Sequence, residues 1–100
     1  NTLINDFKSL EVMKSYKYPI IFDATHSVQE PGGLGVSSGG KREFIPILSK
    51  AATSIGIAGL FLETHEDPDN APSDGPNMLY LKDLEDLLIK IKDFDNIAKN

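Results

Sequence analysis

The sequence predicts an α/β protein with parallel strands, and two observations carry that expectation. Two short runs, residues 19–25 (PIIFDAT) and 57–64 (IAGLFLET), are almost continuously apolar rather than alternating. That is the pattern of strands covered on both faces, as in a parallel sheet flanked by helices. Segments of helical period lie between and after them, so the order reads β-α-β-α-β-α.

The first β-like run is residues 2–6 (TLIND), followed by a short helix over residues 9–16. After the 19–25 run, Phe44, Ile45, Ile47, Leu48, Ala51, Ala52 and Ile55 recur at spacings of three and four. This predicts an amphipathic helix in which Pro46 is tolerable only in the first turn, where its missing N–H has no intrahelical partner to lose. The last helix is marked by Leu84, Leu87, Leu88, Ile91 and Phe94, with Lys and Asp on the opposite face. Two connections are long. Residues 29–41 (QEPGGLGVSSGGK) and 65–77 (HEDPDNAPSDGPN) each run thirteen residues, rich in Gly, Pro, Ser, Asp and Asn. Ordinary βα loops take roughly 2–6 residues, and much longer ones are usually functional or disordered. Both follow the C-terminal end of a strand, the face on which a (β/α) barrel carries its active site. Three such units cannot close a barrel, which needs eight strands. Alone they would leave open edges and bury too little apolar surface, so the expectation is that the rest of a barrel lies elsewhere in a longer polypeptide, with Asn1 a cut end.

Composition narrows the partners. A net charge of −5 argues against nucleic acid or an anionic membrane, both of which need an electropositive face. No apolar run approaches the ~18 residues of a membrane span, and no basic-then-apolar leader opens the chain. The absence of cysteine excludes a disulfide scaffold, and the expected location is cytoplasmic. Small anionic substrates remain compatible, since they require only a few well-placed cations.

His26 ends one strand run (FDATH), Glu63 ends the next (FLETH), and Asp74 lies in the loop that follows. His, Glu and Asp at neighbouring strand ends suit a divalent metal completed by a fourth ligand or water. The alternative is that His26 caps its strand and Glu63 pairs with a lysine. His65 follows Glu63 by two and shares its face by strand alternation, which leaves it lining the same pocket or starting the loop. By the same alternation Asp23, three before His26, is expected to point away and be structural. The Gly32, Gly33, Gly35, Gly39, Gly40 stretch fits neither G-x-G-x-x-G nor the Walker pattern. Lys41 and Arg42 follow it at a helix start, a place that suits an anionic ligand or, equally, solvated surface charge.

The blocks FDATHSVQ-PGG, SGGKREF, GLFLETH-DP and SDGPN, with the leucine-rich helix after them, resemble consecutive blocks of the 3-deoxy-D-manno-octulosonate 8-phosphate synthase family (2-dehydro-3-deoxyphosphooctonate aldolases). The opening LINDFKSLEVMK resembles the preceding strand and helix, so the match spans the whole chain. The resemblance implies the C-terminal βα units of a TIM (β/α)8 barrel, incomplete in this chain, with residues 1–100 forming its C-terminal segment. It implies a cytoplasmic, homotetrameric transferase of lipopolysaccharide biosynthesis, active only as the full barrel. Its substrates would be phosphoenolpyruvate, arabinose 5-phosphate and water, giving the octulosonate phosphate and inorganic phosphate. The alternatives are a DAHP synthase using erythrose 4-phosphate, or an inactive fragment serving as an interaction module. By motif position, His26 and Asp74 are catalytic, and His26, Gln29, Lys41 and Arg42 bind substrate. His26, Glu63 and Asp74 match ligands of a divalent metal (Zn, Fe or Mn). The 29–41 loop corresponds to one that orders over bound substrates. Ser73-Asp74-Gly75-Pro76-Asn77-Met78 shares Ser73 with metal-dependent members and Gly75-Pro76 with metal-independent ones. That mixture leans towards weak metal binding without a requirement.

Overall fold

The computed structural model describes residues 7–28, 42–72 and 75–100. Strand β1 (Ile21–Asp23) pairs in parallel with β2 (Gly59–Phe61), placing Ile21 against Gly59, Phe22 against Leu60 and Asp23 against Phe61. Helix α2 (Ile45–Ser54) lies in the connection between them, the crossover that a parallel pair requires. A second parallel ladder joins β3 (Thr64–His65) to β4 (Leu79–Tyr80), and helix α3 (Leu81–Lys99) runs on directly from β4. Helix α1 (Phe7–Lys14) precedes β1.

The helices form where the apolar spacing places them. In α2, Pro46 sits in the first turn, and a 3-10 turn (Arg42–Phe44) leads into it. Gly56 ends α2 with φ +92°, a left-handed conformation that a side chain would strain. Helices α2 and α3 pack on each other. Ile45 and Ala52 are buried on α2, and Leu87 is buried on α3. Full burial of a side chain such as Leu87 is worth about 1.5–3 kcal/mol. Leu88 and Phe94, expected in the buried stripe, are exposed instead, as are Phe44 and Ile47.

The two faces of the β1–β2 ladder differ. Phe22 and Leu60 point to the side that joins the core, where Phe22 is buried. On the other side Ile21 and Phe61 are 60% and 46% exposed. The cover expected on both faces of these strands is therefore supplied on one face by the described residues.

The strands differ from expectation in extent. The run 19–25 forms ladder only over β1, because the chain turns at Ala24–Thr25 and enters a 3-10 turn (His26–Val28). The run 57–64 divides between β2 and β3, which belong to different ladders. Instead of being structureless, the 65–77 connection contains 3-10 turns at Pro68–Asn70 and Gly75–Asn77 before β4. The expected strand 2–6 and the 29–41 loop lie outside the described residues. Among those described, no helix is long and apolar enough to cross a membrane.

Candidate functional site

Asp23 organises the turn that leaves β1. Its Oδ1 accepts the backbone N–H of Thr25 at 3.0 Å and of His26 at 2.9 Å. This Asx-type arrangement halts the strand and folds His26 back over its start. As a result, the imidazole Nδ1 of His26 meets Asp23 Oδ2 at 2.7 Å. The His26 ring also lies beside Phe61, with centroids 6.3 Å apart and planes 26° from parallel. The expectation that Asp23 points away from His26 is therefore corrected. Strand alternation did not apply, because the chain between the two residues is no longer a strand.

Glu63 arrives from the end of β2. Thr25, fully buried, accepts the Glu63 backbone N–H on Oγ1 at 2.7 Å. The Glu63 carbonyl accepts Leu79 N–H at 3.0 Å. With its backbone held from both sides, Glu63 presents Oε2 to Nε2 of His26 at 3.7 Å. Oε2 is buried and has no hydrogen-bond partner among the described residues. An imidazole that donates from Nδ1 to Asp23 turns an Nε2 lone pair towards this carboxylate. Two electron-rich atoms so placed are stabilised by a cation between them, either a proton on Nε2 or a metal ion.

The two facing donors are of the kind that ligates a first-row divalent metal. Imidazole nitrogen and carboxylate oxygen are ordinary zinc ligands, and two of them about 2.1 Å from one ion stand roughly 3.4 Å apart. The observed 3.7 Å is close to that separation. The Asp23–His26 contact supplies the carboxylate-to-imidazole support typical of metal-binding histidines. Among the described residues no group of three His, Cys, Asp or Glu side chains could hold a metal. The third expected ligand, Asp74, lies outside the described residues, as do Gln29 and Lys41.

Two further expected residues have other surroundings. His65 Nδ1 accepts the Asp67 N–H at 2.8 Å, so this ring caps the start of the following loop. Arg42 directs Nε and Nη2 into the 65–78 segment, donating to backbone carbonyls there. Sequence reasoning missed Asp23 and Thr25. The Asp-x-Thr-His pattern, with an Asx acceptor two and three residues before the amides it binds, was the available signal for Asp23.

Parallel strands whose C-terminal ends hold a histidine and a carboxylate mark the molecule as an α/β protein with a polar, chemistry-bearing strand edge. The chain matches the DAHP synthetase I family over residues 1–100 and belongs to that family. Within it, the sequence is 63% identical over 99 residues to the 2-dehydro-3-deoxyphosphooctonate aldolase of Agrobacterium fabrum, covering 99% of this chain and 35% of that protein. It is 60% identical to the enzyme of the same name from Bartonella henselae, covering 99% of this chain and 36% of the relative. The resemblance read from the sequence is thus borne out. Among solved structures, the DAHP synthase of Thermotoga maritima superposes with a TM-score of 0.76 at 26% identity, over 97% of this chain and 25% of that one. The chain spans about a third of the length of the curated relatives it matches.

Proposed function

We propose that this chain is the C-terminal segment of a (β/α)8 barrel that condenses phosphoenolpyruvate with arabinose 5-phosphate and water, releasing 3-deoxy-D-manno-octulosonate 8-phosphate and phosphate. In that reaction C3 of phosphoenolpyruvate bonds to the aldehyde carbon, water adds at C2, and the C2–O bond to phosphate breaks. High identity to proteins named for this product over nearly the whole chain supports the reading. The observation that carries it is the His26–Glu63 pair at the ends of adjacent strand segments. The 26% identity to a DAHP synthase makes erythrose 4-phosphate the less favoured substrate. An interaction module would have no need of a buried carboxylate oxygen aimed at an imidazole.

The open side of the β1–β2 ladder supports the barrel. Ile21 and Phe61 are apolar and exposed on a strand face, and further strands of a longer polypeptide would cover them. In the proposed site His26 Nε2 and Glu63 Oε2 are the atoms nearest the chemistry, with Asp23 fixing the imidazole tautomer. His26 and Glu63, with Asp74, would hold a divalent metal. When bound, such an ion polarises an oxygen or lowers the pKa of a bound water. Asp74 is proposed as catalytic and Gln29 and Lys41 as substrate-binding, together with residues outside this chain. A cytoplasmic homotetramer acting in lipopolysaccharide biosynthesis completes the proposal.

The test uses the full-length protein with phosphoenolpyruvate and either arabinose 5-phosphate or erythrose 4-phosphate. Phosphate release and an eight-carbon product only with the pentose phosphate are expected. Preference for erythrose 4-phosphate, or turnover of neither, would overturn the proposal.

A further inference from the structure

We infer that Arg42 is a positioning residue that sets Glu63 opposite His26 through the β4 backbone, rather than a ligand for an anionic substrate. The inference rests on the proposed function only for the kinetic half of its test. Arg42 stands in the turn leading into α2, and its side chain is 21% exposed, low for a guanidinium. Nε donates to the Met78 carbonyl at 2.6 Å. Nη2 donates to the Gly75 carbonyl at 2.7 Å and to Asp69 Oδ1 at 3.0 Å. The guanidinium carbon lies 4.5 Å from the centroid of the Tyr80 ring, and the Tyr80 hydroxyl donates to Asp69 Oδ2 at 3.1 Å. Hydrogen bonds within its plane and an aromatic face against it leave the fork one orientation.

The effect of that grip passes through a single peptide group. The Met78 carbonyl that receives Arg42 Nε shares its peptide plane with the Leu79 N–H, which donates to the Glu63 carbonyl at 3.0 Å. Glu63 in turn donates its own N–H to Thr25, whose N–H is held by Asp23, the residue that holds His26. Arg42 thus stands at one end of a continuous hydrogen-bonded path whose other end is the imidazole. The turn it grips is compact. A Cβ on Gly75 would lie 2.4 Å from the Pro68 carbonyl oxygen, so only glycine lets the two 3-10 turns approach. The Arg42 hydrogen bond, followed by that of Tyr80, holds the Asp69 carboxyl below its ordinary range, as expected of a carboxylate engaged as acceptor. A lysine offers one ammonium and cannot reproduce the planar fork.

The experiment compares Arg42→Lys and Asp69→Asn with wild type in the full-length enzyme. It measures kcat and KM for both phosphorylated substrates, together with the ring ¹⁵N signal of His26, assigned by its loss in His26→Gln. For Arg42→Lys we expect kcat to fall on the order of tenfold to a hundredfold, the usual range for residues supporting a reactive ligand. Both KM values should stay within about twofold, since substrate binding and support of Glu63 are separable. Asp69→Asn should move kcat and the His26 signal in the same direction by less. A large rise in KM for one phosphorylated substrate with kcat held, and no change in the ring signal, would show a substrate ligand and overturn the inference. So would unchanged kinetics with an unchanged ring signal. Should Arg42→Lys fold poorly, Asp69→Asn and Tyr80→Phe carry the test. If wild type turns over neither substrate, the proposed function fails, while the His26 signal still decides the role of Arg42.

Discussion

Asp23 and His26 meet at 2.7 Å, carboxylate Oδ2 to imidazole Nδ1, although an extended strand would have sent them to opposite faces. The same carboxylate holds two backbone amides, so it acts at once as a strand terminator and as the imidazole's acceptor. We expect Asp23→Asn to separate these roles. The asparagine oxygen can still accept the amides, but its NH2 opposes an Nδ1–H and favours the other tautomer, directing an N–H from Nε2 at Glu63. Turnover by the full-length enzyme should fall by roughly 10–100-fold. The melting temperature should move little. A loss of stability as large as the loss of activity would make Asp23 merely structural.

Thr25 is the hinge between the two strand ends. Thr25→Val keeps the shape of a fully buried residue and removes the Oγ1 that accepts the part-buried Glu63 N–H at 2.7 Å. Leaving a buried donor without an acceptor costs about 1–3 kcal/mol. Denaturant unfolding of the full-length protein should show a loss in that range. Thr25→Ser, which retains the acceptor, should recover most of it.

How far the sequence revealed this arrangement depended on whether the information was local. Pro46 in a first turn and Leu87 in a buried stripe follow from spacing alone, and the structure has both. The strand runs were visible, but their ladders were not. Pairing ends at Asp23 because that side chain captures nearby amides, a competition that apolar pattern does not register. His26 and Glu63 stand 37 residues apart in sequence, and their approach needs the parallel pairing of β1 with β2. The hold of Arg42 on the Gly75 and Met78 carbonyls is not legible in the sequence, because backbone acceptors carry no residue-type signature. Gln29, Lys41 and Asp74 lie outside the described residues.

The Arg42–Asp69–Tyr80 cluster should give way in acid. Asp69 has its pKa lowered in the fold, first by the hydrogen bond from Arg42 and then by that from Tyr80. A depressed carboxylate contributes stability that is present above its unfolded value, about 4. That contribution is lost as pH falls through the lower folded value. Asp69→Asn should therefore differ from wild type at pH 6–7 by a small, exposed-pair amount. The two proteins should converge as pH drops from about 5 towards 3. The check is thermal unfolding of both across that range. A gap that widens in acid would contradict the assigned cause.

The last prediction concerns metal removal. In the proposed site His26 Nε2 and Glu63 Oε2, 3.7 Å apart, would give an ion two donors. Strong binding requires a third protein ligand held in reach, and the proposed one, Asp74, immediately precedes Gly75. Gly75 is fixed twice, by packing against the Pro68 carbonyl and by the hydrogen bond from Arg42 to its own carbonyl. The following Pro76 restricts the backbone of Gly75 further. By the family resemblance, the Gly75-Pro76 pair is also the pattern expected of metal-independent members. We therefore expect full-length enzyme stripped with a chelator to keep most of its turnover. Zn²⁺, Mn²⁺ or Fe²⁺ added back should change the rate by less than about threefold, the small effect expected of an ion held by few ligands. Equilibrium titration with Mn²⁺, read by its paramagnetic effect on solvent protons, gives a measure independent of activity and should show weak binding abolished in Glu63→Gln. Activity lost on stripping and restored by one of these ions would instead make His26 and Glu63 ligands of a required metal.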